Sequence, residues 1–246
     1  MNRYRIDISY DGTRYSGWQI QPGAPSIQGE LEKALRRLSA QTPRVHGSGR
    51  TDRGVHARKQ VAHFDTEKTF DAGRLVKGAN AVLPHDIRVM KAAPVSSNFH
   101  ARYSVRRKEY RYFISRARVI SPFLSRYRTR ATPDIDIEAM KKAASYLTGN
   151  HDFAAYTANA NRDVKTTFCT LNELRVTARG NDVIITARAP GFLYKMVRSL
   201  AGILLRVGEG AATPSETGKI LYSRKRTARV PTAPARGLFL WNVMYR

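Results

Sequence analysis

Leu174-Arg175-Val176-Thr177-Ala178 and Val183-Ile184-Ile185-Thr186-Ala187 flank Gly180-Asn181-Asp182. Two β-prone runs joined through glycine and asparagine read as an antiparallel hairpin, because those residues accept the positive φ that a tight turn needs. Just downstream, Leu193, Met196, Val197, Leu200, Leu204 and Val207 fall on one face of a long amphipathic helix ending near Gly208. A hairpin followed by a helix is not strict βαβ alternation. The pattern predicts an α+β fold, with antiparallel sheet and helices packed on one face.

The rest of the chain agrees. Tyr4, Ile6, Ile8 and Tyr10 alternate with polar residues as a half-buried strand does, and Asp11-Gly12 ends it. Ser26 is placed to cap a helix with Ile27, Leu31, Leu35 and Leu38 on its apolar face and Lys33, Arg36 and Arg37 on the other. A strand is expected from about Gln60 to Phe64. Asp71 opens a helix with Leu75, Ala79 and Val82 as its stripe, stopped by Pro84, and Ile87 to Val95 reads as a strand. Later come an extended Glu109 to Ser115 and a helix carrying Ile137, Met140, Ala144 and Leu147 that Gly149 ends. The tail from Leu238 to Tyr245 is apolar and β-prone. Each half offers strands and helices, which suggests a structural duplication, and Ser121-Pro122 to Pro133 is the best candidate boundary.

Of the 246 residues, 43 are Lys or Arg and 19 are Asp or Glu, a formal net charge of +24. Such an excess attracts polyanions over long range, and nucleic acid is the polyanion expected. A membrane partner is not expected, since no helical segment joins a basic face to a broad apolar one. Cys169 is the only cysteine, which excludes an intrachain disulfide and a cysteine-based zinc site; a small buried core position is expected for it. The start, Met1-Asn2-Arg3-Tyr4-Arg5, lacks a signal-peptide apolar region, and the longest apolar stretch, Leu200 to Leu205, is too short to span a bilayer. A cytoplasmic protein is the expectation.

Chemistry is concentrated at Gly47-Ser48-Gly49-Arg50-Thr51-Asp52-Arg53-Gly54-Val55-His56-Ala57. One carboxylate, Asp52, sits between two arginines in a loop with three glycines. A carboxylate is repelled by phosphates, so it adds nothing to nucleic-acid affinity and points to a reaction. Residues 102–130 hold ten Lys or Arg against one acid, Glu109, interleaved with Tyr103, Tyr110, Tyr112, Phe113, Phe123 and Tyr127. Basic side chains hold phosphates and exposed rings stack on unpaired bases, although alternate aromatics on a strand more often fill a core. Arg224-Lys225-Arg226 with Arg229 forms a second basic cluster, for phosphate contact or simply solvated. The six histidines, His46, His56, His63, His85, His100 and His151, show no metal-ligand spacing. A Ser48–Asp52–His56 triad is disfavoured because all three lie in one short loop. Arg198 lies among apolar neighbours on the long helix; a partly buried arginine usually has a carboxylate partner, and Asp52 is a candidate.

Gly49-Arg50-Thr51-Asp52-Arg53-Gly54-Val55-His56-Ala57 closely resembles the catalytic motif of the tRNA pseudouridine synthase A family. Four further segments agree with it in chain order: Tyr10-Asp11-Gly12-Thr13 with Gly17-Trp18-Gln19, Lys108-Glu109-Tyr110-Arg111-Tyr112, Phe192-Leu193 through Met196-Val197-Arg198, and Ala233-Pro234 with Gly237-Leu238. Arg53 stands where many relatives carry a small residue. The resemblance implies two ferredoxin-like halves sharing an extended antiparallel β-sheet, with the active-site cleft between them. They would be an N-terminal half, 1–105, with the aspartate loop, and a C-terminal half, 106–246, with the substrate tyrosine and the arginine helix. It implies isomerisation of uridine to pseudouridine in the anticodon stem-loop of tRNAs (positions 38, 39 and 40), by a homodimer without cofactor or metal.

On this resemblance Asp52, Tyr110 and Arg198 are the catalytic residues, and Tyr110 and Arg50 contact the substrate nucleotide. Arg53, Arg107, Lys108, Arg111 and Lys195 are candidate RNA contacts. The leaving uracil spreads negative charge over O2 and O4, so one carboxylate suffices where a sugar leaving group would need two. Attack by Asp52 on C1′, removal of the C2′ proton to give a glycal, and attack on C6 all remain open. Three other readings compete: a non-catalytic RNA-binding module or chaperone, which leaves Asp52 unexplained; a related pseudouridine synthase with another RNA target, which would share the same active-site residues; and a phosphodiesterase or nuclease, for which metal ligands and a histidine pair are lacking.

Overall fold

The computed structural model describes residues 1–158 and 166–245. The chain forms two compact units, Met1–Arg106 with Phe239–Arg246, and Arg107–Leu238. Both mix helices with sheet, so the fold is α+β.

The first unit opens with β1 (Asn2–Tyr10), α1 (Ile27–Ser39), the two-residue β2 (His46–Gly47), β3 (His56–Thr66), α2 (Ala72–Val82) and β4 (Ile87–Val95). Its strands run in the order β4-β1-β3, and β1 is antiparallel to both neighbours. With β2 paired to β3, the succession is strand–helix–strand–strand–helix–strand with β1 between β4 and β3, the ferredoxin-like pattern. Both helices start where the sequence predicts. Ser26 accepts a hydrogen bond from Gly29 N–H, and Asp71 accepts one from Arg74 N–H, each satisfying an otherwise orphaned donor. The helices pack on each other, with α2 against β4. Ile6, Ile8, Val61, Phe64, Ile27, Leu31, Leu75 and Ile87 form the core.

The second unit begins along β5 (Val105–Ser115). It continues with α3 (Pro122–Ser125), β6 (Thr129–Arg130), α4 (Ile137–Ser145), β7 (Gly149–Asp152), β8 (Phe168–Leu171), β9 (Glu173–Arg179), β10 (Asp182–Ala189), α5 (Met196–Gly208) and α6 (Pro214–Ser223). The β9–β10 hairpin turns at Gly180, whose φ of 54° lies in the left-handed region. β10 pairs antiparallel with β5, and β6 adds parallel to the end of β5. The order β5-β10-β9, with α4 between β5 and β9 and α5 after β10, follows the first five elements of the same succession. α4 packs on α5, α6 and β9, over a core that includes Tyr112, Ile114, Ile185, Met140, Leu200, Ile203 and Leu204.

Four expectations change. Residues 121–133 lie inside the second unit and do not divide the chain. The C-terminal strand, β11 (Leu238–Tyr245), pairs in parallel with β3 through Phe239 with His56 and Leu240 with Ala57. The strand from Phe239 onward therefore belongs to the first unit, whereas the expected C-terminal half, 106–246, kept it with the segment it follows; such pairing leaves no local trace. Helix α5 begins at Met196 and not Leu193, because Lys195 before it takes a φ of 56°. Cys169 is half-buried on β8, not in the core, and donates to Gly191 O at 3.0 Å.

Candidate active site

The Asp52 loop is clamped from both sides by the first unit. On one side, Ser48 N–H donates to Val61 O at 2.8 Å, Ser48 Oγ to Gln60 Oε1 at 2.6 Å, and Gln60 Nε2 to Gly49 O at 2.9 Å. These bonds tie the start of the loop to β3. On the other side, Trp18 N–H donates to Thr51 O at 3.0 Å, and Tyr10 shares a 2.9 Å hydroxyl–hydroxyl hydrogen bond with Thr51. Burial pushes the Tyr10 phenol well above its usual pKa, with hydrogen bonds from Thr51 and Gln60 pulling the other way. It is a neutral hydrogen-bonding post.

Two glycines make the clamp possible. A Cβ on Gly12 would lie 2.0 Å from Val55 O, and one on Gly17, whose φ is +107°, would lie 2.5 Å from Thr51 O. Backbone meets backbone there, which only glycine permits. Asp52 O closes a turn by accepting from Val55 N–H at 3.1 Å. The half-buried Asp52 is thus presented by a backbone fixed on both flanks, between the exposed Arg50 and Arg53. His56 is 1% exposed, stacks on Phe239 at 4.6 Å and accepts from Gly12 N–H at Nδ1. It is part of the clamp, as Ser48 is, and not a member of a triad.

In the second unit, Tyr110 stands opposite Ala187 on β5. It is 8% exposed and meets Phe192 edge to face, the ring centroids 5.1 Å apart. Next to it Glu109 is buried between Arg111, 2.7 Å away, and Arg188, 2.9 Å away. Burial alone would raise the Glu109 pKa, but the two guanidiniums outweigh it and hold the carboxyl below its usual range. Arg111 therefore serves the sheet as a counter-ion. Arg107 is exposed and Lys108 half-buried on the same strand; Lys195 reaches over the Tyr194 ring, 4.9 Å from its centroid.

Arg198 is held by the segment before the last strand. Its Nε donates to Ala233 O at 2.8 Å, and Ala233 N–H returns a bond to Arg198 O at 3.0 Å. One turn along α5, a Cβ on Gly202 would lie 2.2 Å from Pro231 O. Gly202 thus lets the strap of residues 231–237 lie against the helix, and Arg198 fastens it. Arg226 secures the strap from behind, donating to Ser199 Oγ, Val230 O and Thr232 Oγ1 at 2.9, 3.0 and 2.9 Å. Tyr112 OH, whose pKa burial pushes up to about 12, donates to Pro234 O at 2.9 Å and contacts Thr129 Oγ1 at 2.6 Å. In the second basic cluster Arg224, Lys225 and Arg229 are exposed and Arg226 is half-buried. Arg226 is a structural tie, Arg224 lies 3.4 Å from Asp152, and Arg229 lies 3.8 Å from Glu216. Sequence reasoning named Arg198 but missed the roles of Gly202 and Tyr112, whose partners Pro231 and Pro234 are far along the chain, and of Arg226, which joins α5 to the strap.

Of the interleaved aromatics, Tyr110, Tyr112 and Phe113 are buried, whereas Tyr103 and Phe123 are 76% and 87% exposed. Among the described residues, no three His, Cys, Asp or Glu side chains are disposed to hold a metal ion, and no helix is long and apolar enough to cross a membrane.

The family model described as tRNA pseudouridine synthase matches residues 7–104 and 143–246. Curated relatives named tRNA pseudouridine synthase A match over nearly the whole length of both chains. The protein of Brevibacillus brevis is 42% identical and covers 100% of each chain. That of Bacillus licheniformis is 43% identical over 99% of each, and that of an Exiguobacterium strain 40% identical over 100% of this chain and 98% of its own. With family-model matches on both sides of the chain's centre and relatives aligned end to end, this chain belongs to the tRNA pseudouridine synthase family.

Proposed function

We propose that the protein converts uridine to pseudouridine in the anticodon stem-loop of tRNAs, at positions 38, 39 and 40, with Asp52 as the reacting carboxylate and without a cofactor. The observation that carries this reading is the presentation of Asp52: a half-buried carboxylate between two exposed arginines, on backbone that Gly12 and Gly17 let the neighbouring segment grip. A protein that only bound RNA would gain nothing from that carboxylate. The relatives named tRNA pseudouridine synthase A support the same substrate.

In this reading the N1–C1′ bond breaks, the uracil turns, and C5 joins C1′. Asp52 attacks C1′ or takes the C2′ proton. Its hydrogen-bonded loop keeps it oriented without reorganisation during the step. Tyr110, its ring fixed by Phe192, lies against the base and takes the C5 proton directly or through water, while N1 gains a proton. Arg198, fastened by Ala233, orients the carboxylate. The target nucleotide leaves its stack, and Arg50 fills the vacated space. Arg53, Arg107, Lys108 and Lys195 hold phosphates. The enzyme works as a homodimer in the cytoplasm, its first half supplying the aspartate and its second the tyrosine and the arginine.

The test is release of tritium from C5-labelled uridine in a tRNA transcript, run with a chelator present. Wild-type protein should release tritium. Asp52→Asn should lose at least about a thousandfold in rate, as enzymes do when a reacting group is removed, while binding tRNA as tightly. Full activity in that variant would overturn the assignment. A double-mutant cycle of Asp52→Asn with Arg198→Lys should be strongly non-additive if the two act as a unit.

A further inference from the structure

The second unit carries an open cavity of about 350 Å³ between the end of β5, the α3 turn and the strap. Four arginines line it: Arg118, Arg128, Arg130 and Arg236. The remaining lining is Ser125 and two aliphatic side chains, and no carboxylate is among the lining residues. Arg128 is built in. It pairs with Asp182 at 3.1 Å and its guanidinium lies 4.5 Å above the Phe113 ring. Arg130 Nη2 donates to Arg118 O at 3.0 Å, which draws those two residues together across the mouth. Arg118, Arg130 and Arg236 are exposed.

Arg128 is balanced by Asp182, but Arg118, Arg130 and Arg236 add three more guanidiniums with no carboxylate among the lining residues, and an anion between them relieves their mutual repulsion. Their planar forks match the oxygens of a phosphate two at a time. A cavity this open suits a chain passing through better than an enclosed small molecule. We propose that it holds backbone phosphates of the RNA substrate, an inference that rests on the tRNA reading above. The site also bears on the strap. Thr129, between Arg128 and Arg130, contacts Tyr112 OH, whose other partner is Pro234 O, two residues before Arg236. A phosphate bound here sits on the segment that fastens Arg198.

The test compares tRNA affinity across a salt series for wild type, Arg118→Gln/Arg130→Gln, the charge-keeping Arg118→Lys, and Arg74→Gln/Lys77→Gln. The last removes two charges from the exposed face of α2 and sets the effect of net charge alone. The pocket double variant should bind about tenfold more weakly than that control, and its log–log salt slope should be shallower by about 1 to 2. Arg118→Lys should keep most of the affinity, which separates lost charge from a disturbed loop. If the pocket variant matches the control, the proposal fails, and tritium release by the wild type shows that the enzymatic reading stands without it. If inorganic pyrophosphate raises the melting temperature of the wild type but not of the variant, and tRNA affinity is unaffected, the cavity takes a small free anion and the proposal fails equally. Absence of both tRNA binding and tritium release in the wild type would instead sink the functional reading.

Discussion

His63 shows how one side chain's surroundings set a property that its residue type does not. It lies on β3, stacked on His46 at 5.0 Å and edge-on to His100 at 4.7 Å, with Arg3 and Asp65 nearby. Its Nδ1 accepts from Ala101 N–H at 3.1 Å. Burial, then the charges of His100, Arg3 and His46, bring its pKa down to about 4, against a weaker opposing pull from Asp65. A group whose folded pKa is depressed takes up its proton preferentially in the unfolded chain. Its stabilising effect is therefore complete above about pH 6.5 and is lost as pH falls toward 4. The melting temperature should drop by several degrees across that window, and His63→Asn should flatten the drop; an unchanged profile in the variant would refute the assignment. Arg226 makes the same point for a cation. Its three hydrogen bonds run to a carbonyl and two hydroxyls, and burial lowers its pKa. Arg226→Met would leave those groups unpaired and should cost about 2–3 kcal/mol, read by urea unfolding.

The strap of residues 231–237 and the helix α5 form one device, and its weakest tolerance is at Gly202. A methyl group there would meet Pro231 O at 2.2 Å. Neither helix nor strap is able to yield without releasing the Arg198–Ala233 pair. Gly202→Ala should therefore lower kcat by about tenfold or more while tRNA affinity holds, and Gly202→Ser should do the same; a normal kcat in both would show that the strap does not position Arg198. Such couplings mark what the sequence could not announce. α1 and α2 were legible because Ser26 and Asp71 cap them locally and their apolar stripes are clear. The Asp52 loop was legible because its glycines, arginines and aspartate are contiguous. α6 was passed over although Thr213 and Glu216 form a capping box, since its apolar stripe is short. The placement of β11 and the strap's ties to Arg198, Gly202 and Tyr112 depend on partners tens of residues away, and periodicity carries no record of them.

At the scale of the whole molecule, charge governs the encounter with RNA. The net charge is +24, yet much of the cationic surface has internal duties. Arg3 is paired with Asp65, Arg5 with Asp7, Arg111 and Arg188 with Glu109, and Arg226 is tied by hydrogen bonds to α5 and the strap. The number of phosphates neutralised on binding must fall well short of the formal charge. For six to ten contacts, tRNA affinity should weaken by about 10³ to 10⁵ between 50 and 200 mM salt. In the proposed mechanism, by contrast, the chemistry takes place at one carboxylate, which bound RNA would shield from bulk ions. KM should therefore climb steeply with salt while kcat at saturating tRNA changes little. Asp52→Asn should reproduce the wild-type salt dependence of binding, since the carboxylate neutralises no phosphate. A slope near zero would mean that the basic surface is not the RNA-binding surface. A kcat that collapsed together with affinity would mean that the charges act on the reacting groups and not on the approach of the substrate.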